Sequence, residues 1–396
     1  MRRQGTRRQS RGGFILVTTV GVVTFFTLTG GSMLLRGLWQ AYTSSRIYHR
    51  SDALHLAEAG AEQAALNLRT ASTGDDLMTA TLASGSFTID AQQSAGGQLY
   101  QVRTHGTSDL EQRSLQVVYR LIPESIFQFA LFGDRQLNVS GNAVTDSYDS
   151  SVGPYDDDTA GHNGDVGTNA SSAGGVTVSG SIFVDGQVAV GSNASNPVSV
   201  VTGYDPLFIT GGTDPPSDTQ DVVAQTSAFP MPVVTVPVGV SCSNLTVSSQ
   251  TTQTLSPTGG PNGDGVYCYH NLTLEGGVTL TASGPVKVYI TGEFTAKGNS
   301  QFGVPSSPKL MLMLMTSTGD AKLEDGTITG STTFYGALYG PNSTIDIQGN
   351  AAVFGSVVAR TVNVTGSAAI HYDESLTSIT DVSNTFKTVR VAWREL

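Results

Sequence analysis

Residues 14–35 run without a charge, and five arginines (Arg2, Arg3, Arg7, Arg8, Arg11) stand before them. At 1.5 Å per residue such a run is long enough to cross about 30 Å of hydrocarbon. The arginine excess predicts that the head stays cytoplasmic. Past the run the pattern remains helical to about Arg69, without proline and with glycine only at Gly37 and Gly60. Residues 14–69 therefore predict one helix of about 56 residues, with Gly37 the place for a bend. In its second half Ala61, Ala64, Ala65 and Leu68 fall at i, i+3, i+4 and i+7, the spacing of a helix half buried against a domain. A cleaved secretory signal is the competing reading; the apolar run is longer than its usual core, and no A-x-A site closes it.

Residues 70–76 are rich in turn formers, and three strand patterns follow, at 86–91, 98–104 and 114–122. Gly96, Gly97 and the stretch 106–111 supply the turns, and His105 reads as a loop histidine without a partner. Residues 70–122 thus predict a small antiparallel sheet beside the helix.

From Pro123 onward short apolar runs alternate with Gly-Asn and Gly-Ser steps, as at Gly141-Asn142, Gly180-Ser181, Gly298-Asn299, Gly349-Asn350 and Gly366-Ser367. Where the spacing is clearest it is roughly 15 to 20 residues, near one coil of a β-solenoid. Residues 123–385 are read as such a solenoid, with a β-sandwich as the alternative. Prolines 215, 216, 230, 232 and 237 bar residues 203–240 from central strands, so that stretch is expected as an insertion draped over the coils. Residues 310–315 are apolar at every position, the pattern of a strand buried on both faces. Residues 386–396 form a last strand or tail. The fold class is mainly β with a long amino-terminal helix: an α+β module followed by a solenoid.

Composition agrees. Charged residues are 13%, and glycine is 46 of 396, against a usual 7% or so. This suits a β-rich extracellular protein with many tight turns. The formal charge is −11 although the head is basic, which argues against nucleic-acid binding by the bulk of the chain. Cys242 and Cys268 could close a loop of about 27 residues, worth about 3 kcal/mol, or remain structural thiols. Their spacing matches no zinc pattern.

The stretch Arg11-Gly12-Gly13-Phe14 with the apolar run behind it resembles the prepilin leader of type IV pilins and pseudopilins. The resemblance implies a leader of residues 1–13, cleavage after Gly13 and N-methylation of Phe14. It also implies other pilin subunits, a prepilin peptidase and an inner-membrane assembly platform as partners. The route would run from the bacterial inner membrane to the periplasm or a cell-surface pilus. Thr18 stands where most major pilins carry a glutamate, which fits a minor, initiating or tip subunit. Residues 57–62, Ala-Glu-Ala-Gly-Ala-Glu, resemble the box of the PilX-type amino-terminal domain of minor pilins. Thr18, Glu58 and Gly60 are candidates for helix packing, the last two against another pilin helix or against the chain's own sheet. Residues 125–380 look like a β-solenoid domain found after such helices, in surface proteins of unknown activity.

For chemistry, Asp146, Asp149, Asp156 and Asp158 are weak calcium candidates without EF-hand or RTX spacing; an exposed acidic loop is the competing reading. His371, Tyr372, Asp373 and Glu374 form a second polar cluster. Paired carboxylates there, Asp373 with Asp146, would suit a tethered carbohydrate-active enzyme. No serine-hydrolase or phosphate-loop motif is present, and the expectation is a structural, non-enzymatic protein without a cofactor, presented to a surface ligand.

Overall fold

The computed structural model describes residues 12–70, 78–82, 84–93, 99–109, 111–205, 209–210, 221–248, 250–316, 325–380 and 386–396. The chain divides into two compact units, Met1–Ile122 with Thr388–Leu396, and Pro123–Lys387.

In the first unit one helix, α1 (Gly12–Thr70), runs unbroken for 59 residues, through Gly37. An antiparallel meander follows: β1 (Met78–Leu82), β2 (Gly85–Gln93), β3 (Leu99–Ser108) and β4 (Glu111–Pro123). The final strand, Phe386–Glu395, adds to the sheet beside β4. Arg113 pairs with Glu395 at 2.9 Å, and Arg394 donates to Gln116. The strand β1 has no counterpart in the apolar pattern, because Met78–Leu82 alternates Thr with small and apolar residues too weakly to be read.

Small residues set the depth at which α1 docks. Ala53, Ala57, Ala61 and Ala64, with Leu56 and Leu68, are buried, as are Phe87, Ile89, Tyr100, Val102, Leu115 and Val117 of the sheet. A Cβ on Gly60 would lie 3.0 Å from the Phe87 ring, so the chain's own sheet fills that approach. Gly106 is a correction to the turn expected at 106–111. It lies inside β3, and any side chain there would run into the helix backbone at Ala53 and Ala57. Backbone contact this close is what glycine permits. His105 is likewise in β3, with its Nδ1 at 2.6 Å from Ser114 Oγ.

The second unit is a β-solenoid. Every strand-to-strand pairing in its 20-stranded sheet that the described residues make is parallel, which excludes the antiparallel sandwich. Each full coil has three faces, seen where residues 333–349 lie on 352–366. Coil steps range from 17 residues, Ile345 to Val362, to 39, Leu137 to Val176. The longer steps carry insertions at the corners.

The repeated glycines occupy one corner. Gly141, Gly180, Gly298, Gly349 and Gly366 all have φ between 76° and 108°, where only glycine is at ease. Gly349 sits over Gly366, Gly366 over Gly141, and Gly141 over Gly180. A Cβ on Gly366, Gly141 or Gly180 would strike the carbonyl oxygen of the glycine stacked above it. The Gly-Asn and Gly-Ser steps are therefore one column of turns.

Stacking order departs from chain order. The coil of residues 131–148 lies on the last coil, with Leu131 beside Val357, Val139 beside Val364 and Thr145 beside Ile370. From there the chain winds outward to Val222–Ala224, which pairs with Val188–Val190. It then crosses to the far end and restarts at Ser243–Val247. Val222–Ala224 corrects part of the insertion expected at 203–240, since its apolar run makes a coil strand; 206–208 and 211–220 lie outside the described residues. The Pro-rich crossover after Ala224 covers one outer face. Phe229 and Val234 pack there with Leu312, Leu314, Tyr339 and Val358, while Met311, Met313 and Met315 point into the coil interior. Tyr339 donates its hydroxyl to Pro232 O at 2.7 Å. The strand Met311–Met315 is thus buried on both faces for two different reasons.

Candidate functional site

Two parts of the molecule carry candidate function. The first is the exposed half of α1. Leu16, Val20, Phe25, Phe26, Met33, Leu34, Leu38, Trp39 and Tyr42 are all exposed, each at 60% or more. This helix is long and apolar enough to cross a membrane. Thr18 lies on that exposed stretch. Residues 1–11 of the expected leader lie outside the described residues, and Gly12, Gly13 and Phe14 open the helix. Where the helix leaves its apolar half, Arg46 and Arg50 donate to the two oxygens of Glu111 at 2.6 and 3.1 Å. Those hydrogen bonds, that of Arg46 first, hold the Glu111 carboxyl below its ordinary range and raise Arg46. Thr18 is exposed, and Glu58 is exposed and faces His55 Nδ1 at 3.2 Å, so of the three packing candidates only Gly60 is buried against the sheet.

The second part lies on the outside of the face that carries residues 335, 354 and 371, at the seam where first and last coils meet. Register sets Tyr335 beside Phe354 and Phe354 beside His371, and His371 beside Asp146. The rings of Tyr335, Phe354 and His371 stack at 4.7 Å centroid spacing, about the strand separation of a sheet. His371 Nδ1 donates to Asp146 Oδ1 at 2.6 Å. Tyr155 closes over this column: its ring lies 3.9 Å from that of His371, and its hydroxyl donates to Asp146 Oδ2 at 2.6 Å. Burial and that carboxylate keep the Tyr155 phenol protonated far above its usual range.

Asp373, flagged with His371 in the sequence, is fully buried and turned to another task. It accepts from Ser150 N and Oγ and from Ser375 N and Oγ. Asp146 and Asp373 thus have separate partners. Of the calcium candidates, Asp149 accepts from Ser151 and Asp156 caps Asp158 N. Among the described residues no three His, Cys, Asp or Glu side chains gather as a metal site. Cys242 and Cys268 are joined as a disulfide with Cα atoms 4.5 Å apart, tying the end of the crossover to a coil strand. Tyr155 was missed by sequence reasoning; its Gly-Pro-Tyr context signals a turn and says nothing of what the ring covers.

Residues 243–379 match the family described as domain of unknown function (DUF7305). That stretch begins at the end coil and stops just after the last one. No curated protein matches the chain. Among solved structures, the chain is similar to the competence-associated pilin ComZ from Thermus thermophilus, at 11% identity and a TM-score of 0.35. The match covers 88% of this chain and 97% of that one. It is also similar to an ice binding protein from an Antarctic biological consortium, at 15% identity and a TM-score of 0.33, covering 62% and 87%. At these scores neither likeness carries an argument about activity.

Proposed function

We propose that the chain is a minor pilin-like subunit of a type IV pilus or related fibre, displaying its solenoid for a tip, assembly or adhesion role. One observation carries the reading: α1 is a single helix with two unlike halves. Its later turns are buried in their own sheet, whereas residues 16–35 carry no charge and are exposed almost throughout. An exposed apolar surface of that length calls for cover. A membrane supplies it before assembly, and the helices of neighbouring pilins supply it afterwards. The Arg-Gly-Gly-Phe junction supports cleavage after Gly13 by a prepilin peptidase and methylation of Phe14. Thr18 offers no carboxylate to a neighbour's amino terminus, which suits a minor subunit that engages an inner-membrane assembly platform.

The test is processing. Gly13→Val is expected to leave a heavier, membrane-retained form on immunoblots, with fewer surface fibres. Normal processing and normal fibre numbers in that variant contradict the reading.

A further inference from the structure

We propose that the outward column Tyr335–Phe354–His371, closed by Asp146, binds one ring of a neutral saccharide. In this proposal Tyr155 is the built-in occupant that the saccharide displaces.

Four observations converge. The column is built by register over three successive coils and extended to Asp146 on a fourth, so its geometry is fixed by the sheet rather than by a loop. Tyr335 and Phe354 keep part of their surface exposed. Tyr155 already uses the two kinds of contact the column offers a sugar ring: its ring lies over that of His371, tilted by 37°, and its hydroxyl is given to the Asp146 carboxylate. The third observation concerns the segment that carries Tyr155. Val152 is 87% exposed, and positions 156–159 are exposed as well. Among the described residues, Tyr155 to Asp146 is the one hydrogen bond that ties positions 151–160 to the coils. Removing Tyr155 from the column therefore breaks a single polar contact and leaves Ser147 with Gly161, and Ser150 with Asp373, as the hinges.

The fourth observation is an unsatisfied group. The Tyr148 hydroxyl is buried and has no hydrogen-bond partner, and the residue is 7% exposed. Its ring lies edge-on to Tyr155 at 5.6 Å and to Phe354 at 6.3 Å, directly in this cluster. Buried polar atoms are nearly always paired. A sugar seated on the column presents hydroxyls that can pair with this one. Charge selects the class. Asp149, Asp156, Asp157 and Asp158 surround Tyr155 in sequence, and the chain carries −11, so anionic glycans are repelled.

The proposal takes only its setting from the pilus reading, since an adhesive tip needs something to hold. Binding by the isolated chain and incorporation into fibres are measured separately, so each can fail without the other. The full chain in detergent micelles is titrated calorimetrically with cellohexaose, chitohexaose and maltohexaose, and with hexagalacturonate as the anionic probe. At least one neutral hexamer is expected to bind, and Tyr155→Ala is expected to bind it about tenfold more tightly because the competitor is gone. Tyr335→Ala and Phe354→Leu, each checked by circular dichroism, are expected to weaken binding at least tenfold. Phe354→Leu preserves apolar volume, so its loss would report the aromatic face. The proposal is overturned if neither the native chain nor Tyr155→Ala binds any neutral hexamer at millimolar concentration. It is also overturned if hexagalacturonate binds best, or if the Tyr335 and Phe354 variants bind unchanged.

Discussion

His371 donates to Asp146 across 2.6 Å although 225 residues separate them in the chain. The contact exists because the last coil of the solenoid stacks on the first, with Ile370 beside Thr145 and His371 beside Asp146. It fastens the point where the winding is discontinuous.

Removing it should loosen that seam first. His371→Ala takes away a hydrogen bond to a charged group and a stacked ring, together worth about 3 kcal/mol. Urea unfolding of the second unit should shift by that amount. Hydrogen exchange of residues 131–148 should rise before that of residues 286–315. Uniform protection across all coils would show that the seam needs no such fastening.

The corner glycines should be intolerant of any side chain. Gly366 has φ 95°, and a Cβ there would lie 2.6 Å from Gly349 O. Left-handed backbone alone costs an L residue about 1–2 kcal/mol, and the contact adds to it. Gly366→Ala is expected to destabilise by at least about 2 kcal/mol in denaturant melts. Gly153→Ala, with nothing within 4 Å of its Cβ, is expected to be near neutral and serves as the control.

The disulfide should stabilise the crossover rather than create the fold. Cys242 and Cys268 enclose 26 residues of separation, worth about 3 kcal/mol in the loop-entropy account. Cys242→Ser with Cys268→Ser should lower stability by about that much while the parallel-β circular dichroism persists. Complete unfolding of the double variant would make the bond a prerequisite instead.

Alkaline pH should open the first unit through Tyr119. Burial, ahead of the Glu62 charge, pushes its phenol up to about 12 from an ordinary 10.0, and the hydroxyl donates to Ala61 O of the helix. The folded pKa is the raised one, so the contribution is complete below pH 10 and is lost as pH rises through about 12. Tyrosinate absorbance should show a late-titrating phenol that Tyr119→Phe removes. In that variant the loss of helicity between pH 10 and 12 should be smaller.

Much of this architecture can be read from the residues, and the unread part has a common cause. The stretch 14–69 announces its helix by absence of proline and by apolar spacing, and Gly141, Gly180, Gly298, Gly349 and Gly366 announce coils. The Leu-Met alternation at 310–315 shows two buried faces, but only the structure shows that the crossover, not another coil, covers the leucines. A repeat says that units stack; it does not say which unit meets which. Asp146 and His371 were both singled out as polar candidates, yet their pairing depends on a stacking order opposed to chain order. Gly106 was misread as a turn because a glycine required for helix contact looks like a glycine required for a bend. The last strand, Phe386–Glu395, gave no sign of returning to the first unit, since its partners lie more than 260 residues earlier in β4.

The central claim is that this chain travels by its head into a fibre. The most direct test is to shear and purify surface fibres, then sequence this chain within them by mass spectrometry. The account predicts its presence at low stoichiometry, beginning at N-methylated Phe14. A chain absent from the fibres, or present with residues 1–13 intact, contradicts it.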